Sequence, residues 1–242
     1  MSLANDLRAA TQQLMSAPWQ TRDATVVPRT ADVAMADGAV NLTATYLYAD
    51  LADSTELQES HGSDVAARVT RMYLNGAARL IRANDGAIKS YDGDRVMGVF
   101  VGKSMRNSAV WAAMQICWLV DQVINPLVKD ATNDGSRYWK VTHGVGIDCG
   151  DAFVVRAGVR NADGETVHND LVSIGRAPNV AAKLSALRDR SPITVTHDVY
   201  SGLTGARRVD STTERDIWSG PTATTVGPYT LDLYSTPYRW AP

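Results

Sequence analysis

Apolar and polar residues follow two different periods along the chain, and these periods separate predicted strands from predicted helices. Residues 43–49 are apolar with little alternation, as is typical of a strand buried on both faces. From residue 63 to about residue 84 the apolar residues recur at helical spacing, and two β-type runs follow at 87–91 and 94–101. These two runs are predicted to form a hairpin, because Asp92-Gly93 between them is a dipeptide that favours a tight turn.

The rest of the chain predicts a second set of helices and strands. In order, these are a helix from Ser104 to Asn125-Pro126, a polar loop at 130–137, strands at 140–148 and 152–157 around a turn at Cys149-Gly150-Asp151, a polar loop at 161–170, a helix in the latter part of 174–189, a strand at 192–196 and a short helix from Asp198. This succession indicates an α+β fold with one mainly antiparallel sheet flanked by helices.

Two segments flank the predicted domain of residues 43–203. The first, residues 1–42, begins with apolar residues at helical spacing that a proline ends: Leu7, Ala10, Leu14, Met15 and Pro18. We expect an N-terminal arm that serves packing or dimerisation. The second segment, residues 204–242, mixes Thr, Gly, Pro and aromatic residues, and we expect a C-terminal extension that packs on the domain and adds edge strands.

Composition excludes several classes of protein. Of the 242 residues, 45% are hydrophobic and 21% are charged, and the net charge of -2 provides no basic footprint for nucleic acid. The two cysteines cannot form a disulfide scaffold or a cysteine zinc site, and they fit a reducing compartment. The longest apolar run, residues 110–120, is too short to span a bilayer, and the first residues do not resemble a signal peptide. We therefore expect a soluble cytoplasmic protein that binds neither nucleic acid nor membrane.

Two acidic stretches provide the candidate chemistry. Asp50 and Asp53 follow the strand predicted at 43–49, while Asp92 and Asp94 lie at the predicted hairpin turn. An aspartate at the end of a strand and another beside a tight turn can converge on a divalent cation, and carboxylates suit magnesium or manganese, which in turn suit phosphates. Asp53 is expected to cap the following turn and Asp92 to serve the hairpin, which leaves Asp50 and Asp94 as candidate ligands.

Four segments in the same order resemble the motifs of the class III nucleotidyl cyclases. They are Ala49-Asp50-Leu51-Ala52-Asp53-Ser54-Thr55-Glu56-Leu57, similar to the first metal motif; residues 89–100, similar to the hairpin that supplies the second metal ligand; Gly144-Val145-Gly146-Ile147-Asp148-Cys149-Gly150, similar to a glycine-containing strand; and residues 175–184, similar to a helix of the pattern Gly-x-x-x-Asn-x-Ala-x-Arg-Leu. The resemblance covers roughly residues 43–203.

This resemblance implies a homodimer with two composite sites, each holding two Mn²⁺ or Mg²⁺ ions and a nucleoside triphosphate. By resemblance, Asp50 and Asp94 bridge both ions and the backbone carbonyl of Leu51 completes one ion's ligands. Asn179 would orient the ribose, and Lys183 would meet the phosphate charge that develops in the transition state, both from the other chain. The alternative for Lys183 is a solvated lysine on the helix surface without a catalytic role. His143 and Asp148 have no motif partner and are assigned to structure.

Three departures from the family pattern bear on the base that is recognised. Lys183 stands where the family has an arginine. An extra residue in the hairpin puts one purine-reading position at either Ser90 or Lys89, and the other falls on Val172, which cannot hydrogen-bond a base through its side chain. With Tyr48 and Arg95, this pattern resembles the pyrimidine cyclases of bacterial anti-phage (Pycsar) defence.

Tyr48 and Arg95 are the candidate base-reading residues. Tyr48 is large enough to fill the space that a second purine ring would occupy. Arg95 offers only donors, which suit the 4-carbonyl of uracil better than the 4-amine of cytosine. Adjacent strand residues point to opposite faces, so Asp94 and Arg95 share a site only if a bulge or turn separates them. Otherwise Arg95 is a surface or dimer-contact residue.

The sequence therefore predicts a uridylate cyclase that converts UTP to 3′,5′-cyclic UMP and diphosphate. Its product would be a second messenger in anti-phage defence, read by a separate cyclic-nucleotide-binding effector. Alternatives within the family are a cytidylate cyclase that uses CTP and an adenylate cyclase. A non-enzymatic alternative is a degenerate cyclase domain that acts as a nucleotide-binding regulator; the intact aspartate pair argues against it.

Overall fold

A nine-stranded sheet forms the centre of the computed structural model, which describes residues 2–132, 138–160 and 166–242. The strands of this part of the chain are β1 (Gln20–Ala24), β2 (Gly38–Leu51), β3 (Ala87–Asp92), β4 (Arg95–Phe100), β5 (His143–Arg160), β6 (Thr166–Ile174), β7 (Ile193–Thr196), β8 (Ser219–Val226) and β9 (Tyr229–Thr236). The α-helices are α1 (Leu3–Ser16), α2 (Ser54–Ala83), α3 (Met105–Leu119), α4 (Asn125–Thr132), α5 (Arg176–Ser185) and α6 (His197–Tyr200).

The strand order confirms the predicted α+β fold with a mainly antiparallel sheet. The main path runs β3-β4-β2-β5-β7-β9-β8, with β1 beside β2 and β6 beside β5. The β1/β2 and β5/β7 pairs are parallel, and the other pairs are antiparallel. The two central strands, β2 and β5, pair over most of their length, so they form the frame on which the predicted motifs are placed.

The central strand β2 is buried on both faces, as its apolar sequence predicted. Leu47 and Ala49 face a core formed with α2, α3 and α4, and both are fully buried. Tyr46, on the other face, packs in a second cluster with Met97 of β4 and Ala181 of α5. Burying both faces removes a large apolar area from water, which stabilises the position of this strand and of the residues at its end.

Two predicted helix boundaries were wrong because a local break does not always end a helix. Helix α2 begins at Ser54 rather than near residue 63, and it is interrupted at Gly62, whose φ of 84° is open to glycine. The helix predicted to end at Asn125-Pro126 continues through a π-helical turn, Val120–Ile124, into α4. Pro126 directly follows this turn, in which the Asn125 N–H donates to the Val120 carbonyl, and such a local change of helical pitch lets the chain pass a proline without ending the helix.

The predicted hairpin at Cys149-Gly150-Asp151 was also wrong. These residues lie within β5, which pairs with β2 without interruption from Leu51↔His143 to Ala39↔Val155. This turn-like segment stays extended because the long partner strand β2 offers hydrogen-bond partners to its backbone. Of the two predicted polar loops, 166–170 belongs to β6 and 130–132 belongs to α4, while 133–137 and 161–165 lie outside the described residues.

The flanking segments are more integrated than the predicted boundaries imply. Helix α1 ends before Pro18 as predicted, and none of its residues is buried. However, β2 begins at Gly38 and β1 pairs with it, so a boundary at residue 42 would divide a strand. At the other end, β9 pairs with β7, and β8 lies beyond β9 at the edge of the sheet. Within the described ranges, no helix has both the length and the apolar character needed to cross a membrane.

Candidate active site

The fold brings Asp50 and Asp94 together at one end of the sheet. Asp50 is the penultimate residue of β2, and Asp94 lies in the turn between β3 and β4. The backbone N–H of Leu51 donates to the carbonyl oxygen of Asp94 over 3.3 Å, which ties the strand end to the turn. The neighbouring residue Arg95 is the cross-strand partner of Asp50. Asp50 and Asp94, which are 44 positions apart in the sequence, are therefore neighbours in space.

The electrostatic setting of Asp50 suits a cation ligand. Its side chain is only 16% exposed. Burial raises the pKa of the Asp50 carboxyl above its ordinary value, Arg188 opposes this rise by a hydrogen bond and by its charge, and Asp94 adds to it. A carboxylate held in a poorly solvated place beside a second carboxylate gains most from a positive charge placed between them.

Arg188 contacts Asp50, and sequence reasoning did not single it out. Its Nη2 donates to Oδ2 of Asp50 over 2.8 Å, and its Nη1 is bound to the backbone carbonyl of Ser185. It follows the end of α5 in a stretch of mixed charge, Arg188-Asp189-Arg190, which carries no motif. Only the packing of α5 on β5 reveals that it reaches a residue far away in sequence.

The glycine-containing segment of β5 makes this contact possible. Gly144 is the cross-strand partner of Asp50, and Gly146 that of Tyr48, so both lie on the face that α5 covers. A Cβ at Gly144 would collide with the Ser185 carbonyl oxygen and lie 2.7 Å from Nη1 of Arg188. The two glycines of this strand therefore allow the backbone of α5 to approach closely.

Gly144→Ala should lower the free energy of unfolding by about 1–3 kcal/mol, because the added methyl group must displace the end of α5. The same displacement should weaken the Arg188–Asp50 ion pair. Urea denaturation of the variant and the wild type measures the first effect. An unchanged midpoint would contradict the close packing described for this strand.

Tyr48 and Arg95 lie on the same face of the sheet as Asp50. The β2/β4 register pairs Tyr48 with Met97 and Asp50 with Arg95, so the four side chains share one face. Asp94 lies in the turn before β4, whereas Arg95 is the first residue of β4. The alternation of side chains along a strand therefore does not force Asp94 and Arg95 to opposite faces, and the two residues can share a site. The centre of the Arg95 guanidinium lies 5.4 Å from the Tyr48 ring centroid.

Asp92 holds the guanidinium of Arg95 in place. Nη2 of Arg95 donates to Oδ2 of Asp92 over 2.6 Å, so Asp92 does more than form the predicted turn. Nε of Arg95 is buried and has no hydrogen-bond partner among the described residues. The Tyr48 hydroxyl donates to the sulfur of Met97 over 2.9 Å, which fixes the ring beside the guanidinium. The arrangement presents an oriented donor next to an aromatic wall.

The structure separates the two candidate hairpin positions. A bulge between Ile88 and Ser90 leaves Lys89 unpaired with β4, while Ser90 pairs with Met97. Nζ of Lys89 donates to the Pro28 carbonyl over 2.6 Å, and burial lowers the pKa of this lysine. Ser90, with Oγ 3.7 Å from the Met97 sulfur, therefore shares a contact with Tyr48, whose hydroxyl bonds the same sulfur, whereas Lys89 bonds the Pro28 carbonyl.

Asn179 and Lys183 are not bonded to the two acidic residues of the same chain within the described ranges. Both are exposed on α5. The Asn179 amide donates to the Gly175 carbonyl over 2.9 Å, and a Cβ at Gly227 would lie 3.3 Å from Cε of Lys183. No hydrogen bond or ion pair within residues 2–132, 138–160 and 166–242 joins either residue to Asp50 or Asp94. Val172, the other purine-reading position, is 44% exposed on β6.

The donor set fits a hard divalent cation that uses few protein ligands. In the described parts of the chain no three His, Cys, Asp or Glu side chains gather as a metal site. Magnesium is commonly held by one or two carboxylates together with water and substrate phosphates, and the Asp50–Asp94 pair matches that pattern. Asp53 occupies the N-cap position of α2 in a left-handed conformation, but its side chain makes no capping bond, contrary to the prediction.

Asp148 and His143 are held in structural contacts, as expected. Asp148 is fully buried and accepts from the Thr196 hydroxyl over 2.6 Å and from the Cys149 N–H over 2.9 Å. Nδ1 of His143 lies 3.4 Å from the hydroxyl oxygen of Tyr73, and burial lowers the pKa of His143 to about 4. Neither residue contacts Asp50 or Asp94 by a hydrogen bond in the described chain.

His143 should make stability depend on pH below neutrality. Its folded pKa of about 4 lies below the ordinary value of 6.5, so the unfolded chain binds a proton in a window where the folded chain does not. Stability should therefore fall as pH drops from about 6.5 towards 4, by up to about 3 kcal/mol from this residue. Thermal unfolding of His143→Asn across that range should show a shallower slope than the wild type. Equal slopes would contradict this assignment.

Solved structures with a similar fold include nucleotidyl cyclases. The adenylyl cyclase CyaB from P. aeruginosa aligns with a TM-score of 0.64 at 20% identity, covering 81% of this chain and 94% of that one. The guanylyl cyclase Cya2 aligns with a TM-score of 0.65 at 16% identity, covering 84% and 95%. These likenesses confirm the predicted class III cyclase fold, a class in which the sheet is flanked by helices as here.

Sequence comparison narrows this class to one family. A uridylate cyclase from Rhodovulum sp. (strain MB263) is 36% identical over 220 residues, which are 90% of this chain and 89% of the relative. A uridylate cyclase from Xanthomonas perforans is 34% identical over 99% of both chains. No protein-family model matches the sequence. The chain belongs to the uridylate cyclase family.

Proposed function

We propose that this protein converts UTP to 3′,5′-cyclic UMP and diphosphate. The observation that carries the proposal is the arrangement of Asp50 and Asp94 next to an oriented pair, Tyr48 and Arg95, on one face of the sheet. The names of the relatives, uridylate cyclase, point to the same substrate. In the reaction the ribose 3′-oxygen forms a bond to the α-phosphorus, the bond from the α-phosphorus to the bridging β-phosphate oxygen breaks so that diphosphate leaves, and the proton of the 3′-hydroxyl passes to water.

Asp50 and Asp94 would hold two Mg²⁺ or Mn²⁺ ions, with the Leu51 carbonyl as a further ligand. When bound, such ions supply positive charge to the phosphate oxygens and favour loss of the 3′-hydroxyl proton. The protein's own part is alignment, since phosphoryl transfer needs little covalent chemistry from side chains. Arg188 holds the Asp50 carboxylate in its orientation. If metal ions took the place of Arg188 as the partner of Asp50, the Arg188 guanidinium would remain near the phosphates.

Asn179 and Lys183 would act on a site formed with a second chain. Their exposure on α5, with no bond to the aspartate pair of the same chain among the described residues, supports a homodimer with composite sites. There Asn179, with one donor and one acceptor group, would orient the ribose. Lys183 would place its ammonium near the charge that develops on the phosphate, as a point charge rather than the fork that arginine offers.

Tyr48 and Arg95 would select the base. The Tyr48 ring would occupy space that a second purine ring needs, and the Nε of Arg95, which has no partner among the described residues, is a buried donor that a uracil carbonyl could satisfy. Cytosine carries an amine where uracil carries its 4-carbonyl, so CTP would leave this donor less well paired. A cytidylate cyclase is the second candidate, because the 2-carbonyl of cytosine could still accept.

The direct test is incubation of the pure protein with each nucleoside triphosphate and manganese, with the products separated by chromatography. Cyclic UMP should be the main product. Faster cyclisation of ATP or GTP than of UTP would overturn the pyrimidine proposal. Faster cyclisation of CTP would retain the aspartate site and overturn only the role of Arg95.

Mixing two inactive variants should restore activity if the sites are composite. A chain with Asp50→Ala still supplies Lys183, and a chain with Lys183→Ala still supplies Asp50, so each heterodimer has one intact site. Statistical mixing should return about a quarter of the wild-type turnover. Continued inactivity, with subunit exchange shown by mass spectrometry, would mean that each chain carries its own site or that Lys183 is not catalytic.

In the cell we propose that the product is a second messenger, bound by a separate cyclic-nucleotide effector in anti-phage defence in the cytoplasm. The support is the resemblance of the base-reading residues to pyrimidine cyclases of that kind. Deletion of the gene, or Asp94→Ala in its place, should remove both cyclic UMP and phage resistance.

A further inference from the structure

The outer surface of α2 carries a groove that the cyclase site does not use. Two adjoining cavities of about 590 and 550 Å³ lie between α2 on one side and the end of α3, the π-helical turn and α4 on the other. They share Met72, Asn75 and Leu127 in their lining, so they form one continuous depression. We refer to it as the α2 groove. Asp50 and Asp94 do not line it.

The floor and one wall of the α2 groove are apolar. Leu127 of α4 is 53% exposed there, and Met72 and Leu119 are partly buried side chains that also line it. Single exposed leucines are common on protein surfaces, but here the apolar residues are continuous and concave. Covering them would remove apolar area from water.

The other wall carries three arginines and, among the described residues, no acidic side chain. Arg68, Arg71 and Arg79 of α2 line the groove, and no aspartate or glutamate lines either cavity. Arg68 is paired with Asp64 over 2.9 Å, whereas Arg71 and Arg79 form no ion pair with any residue in the described ranges. This local excess contrasts with the net charge of -2 for the whole chain.

The length of the groove matches a helix of four to five turns. Its lining extends along α2 from Val65 to Ala83, a helical span of roughly 27 Å at about 1.5 Å per residue. A groove between two helices with an apolar floor is the usual seat of an amphipathic helix, which inserts residues at i, i+3, i+4 and i+7.

We propose that the α2 groove is a docking site for an amphipathic helix of another protein, with an apolar face that covers Leu127 and Met72 and carboxylates that pair with Arg71 and Arg79. Contact between the α2 grooves of two copies of this chain would bring two arginine walls together, which disfavours that mode of self-association. A lipid surface is disfavoured because the apolar residues lie at the bottom of a depression. The proposal does not rest on the proposed cyclase activity.

The test uses a fluorescein-labelled, N-acetylated and C-amidated 18-residue peptide with leucines at heptad spacing flanked by glutamates. A matched peptide has every glutamate replaced by lysine. Fluorescence anisotropy should show binding of the glutamate peptide to the wild type. Leu127→Asp and the double variant Arg71→Glu/Arg79→Glu should each weaken it about tenfold or more, as loss of a central anchor does. Arg82→Glu, on the exposed part of α2 outside the groove, is the matched control and should bind as the wild type does.

A charge reversal makes the result specific. The lysine peptide should bind the Arg71→Glu/Arg79→Glu variant better than it binds the wild type. Circular dichroism and UTP turnover report whether the variants are folded. Equal binding of both peptides to all variants, or no binding to the wild type, would overturn the proposal. If the wild type sedimented with phosphatidylglycerol vesicles and Leu127→Asp abolished this, the groove would bind a membrane instead of a helix. If the mass of the wild type rose with concentration and Leu127→Asp abolished this, the groove would bind a second copy of the chain.

Discussion

Replacing either Asp50 or Asp94 by asparagine should abolish cyclic UMP synthesis while leaving the fold intact. Each substitution keeps the shape of the side chain and removes the negative charge that would hold the metal ions. Because the reaction depends mainly on charge stabilisation and alignment, we expect turnover to fall by about three orders of magnitude or more. For Asp50 the change also leaves Arg188 without its carboxylate partner, so the guanidinium should become mobile.

A matched control separates the metal role from a general loss of charge. Asp53 is exposed, follows Asp50 closely and makes no capping bond, so Asp53→Asn should retain nearly full activity. The affinity for Mn²⁺, followed by electron paramagnetic resonance, should fall in both site variants and not in the control. Wild-type turnover in Asp50→Asn or Asp94→Asn would refute the proposed metal site.

The second large effect concerns base selection by Arg95 and Tyr48. Arg95→Ala removes an oriented charged donor, and a charge-assisted hydrogen bond of this kind contributes about 1.5–3 kcal/mol, so kcat/KM for UTP should fall roughly 10- to 100-fold. The effect on CTP should be smaller, because its base uses the donor less well. Tyr48→Ala should raise the turnover of ATP relative to UTP by opening the space beside Met97.

Competition between UTP, CTP and ATP in one reaction measures both effects directly. Tyr91→Ala is a matched control for Tyr48, since Tyr91 is 57% exposed on the neighbouring strand β3. Arg82→Ala serves the same purpose for Arg95, and thermal unfolding detects loss of fold. If Arg95→Ala lowered UTP and CTP turnover equally, Arg95 would be a positioning or structural residue and would not read the 4-position of the base.

The turn chemistry and hydrophobic periods in the sequence correctly predicted the β3–β4 hairpin, the buried β2 and α5. They did so because these elements are specified locally: Asp92-Gly93 favours a tight turn, and apolar spacing matches a helix or a two-sided strand. The same local reasoning failed at Cys149-Gly150-Asp151 and at Pro126. At both places long-range pairing or a π-helical turn satisfied the backbone in a way that local signals do not reveal.

By itself the sequence identified the acidic pair, Tyr48, Arg95 and the glycines of β5 as candidates, because each lies in a short segment that resembles a motif of the class III cyclases. Only the tertiary structure decided that Arg188 reaches Asp50 and that Asp92 orients Arg95. It also decided that Lys89 is bulged away from Tyr48. These facts depend on strand register and on how closely α5 approaches β5. Both are set by packing between segments distant in sequence, and a one-residue change of register would move each side chain to the other face.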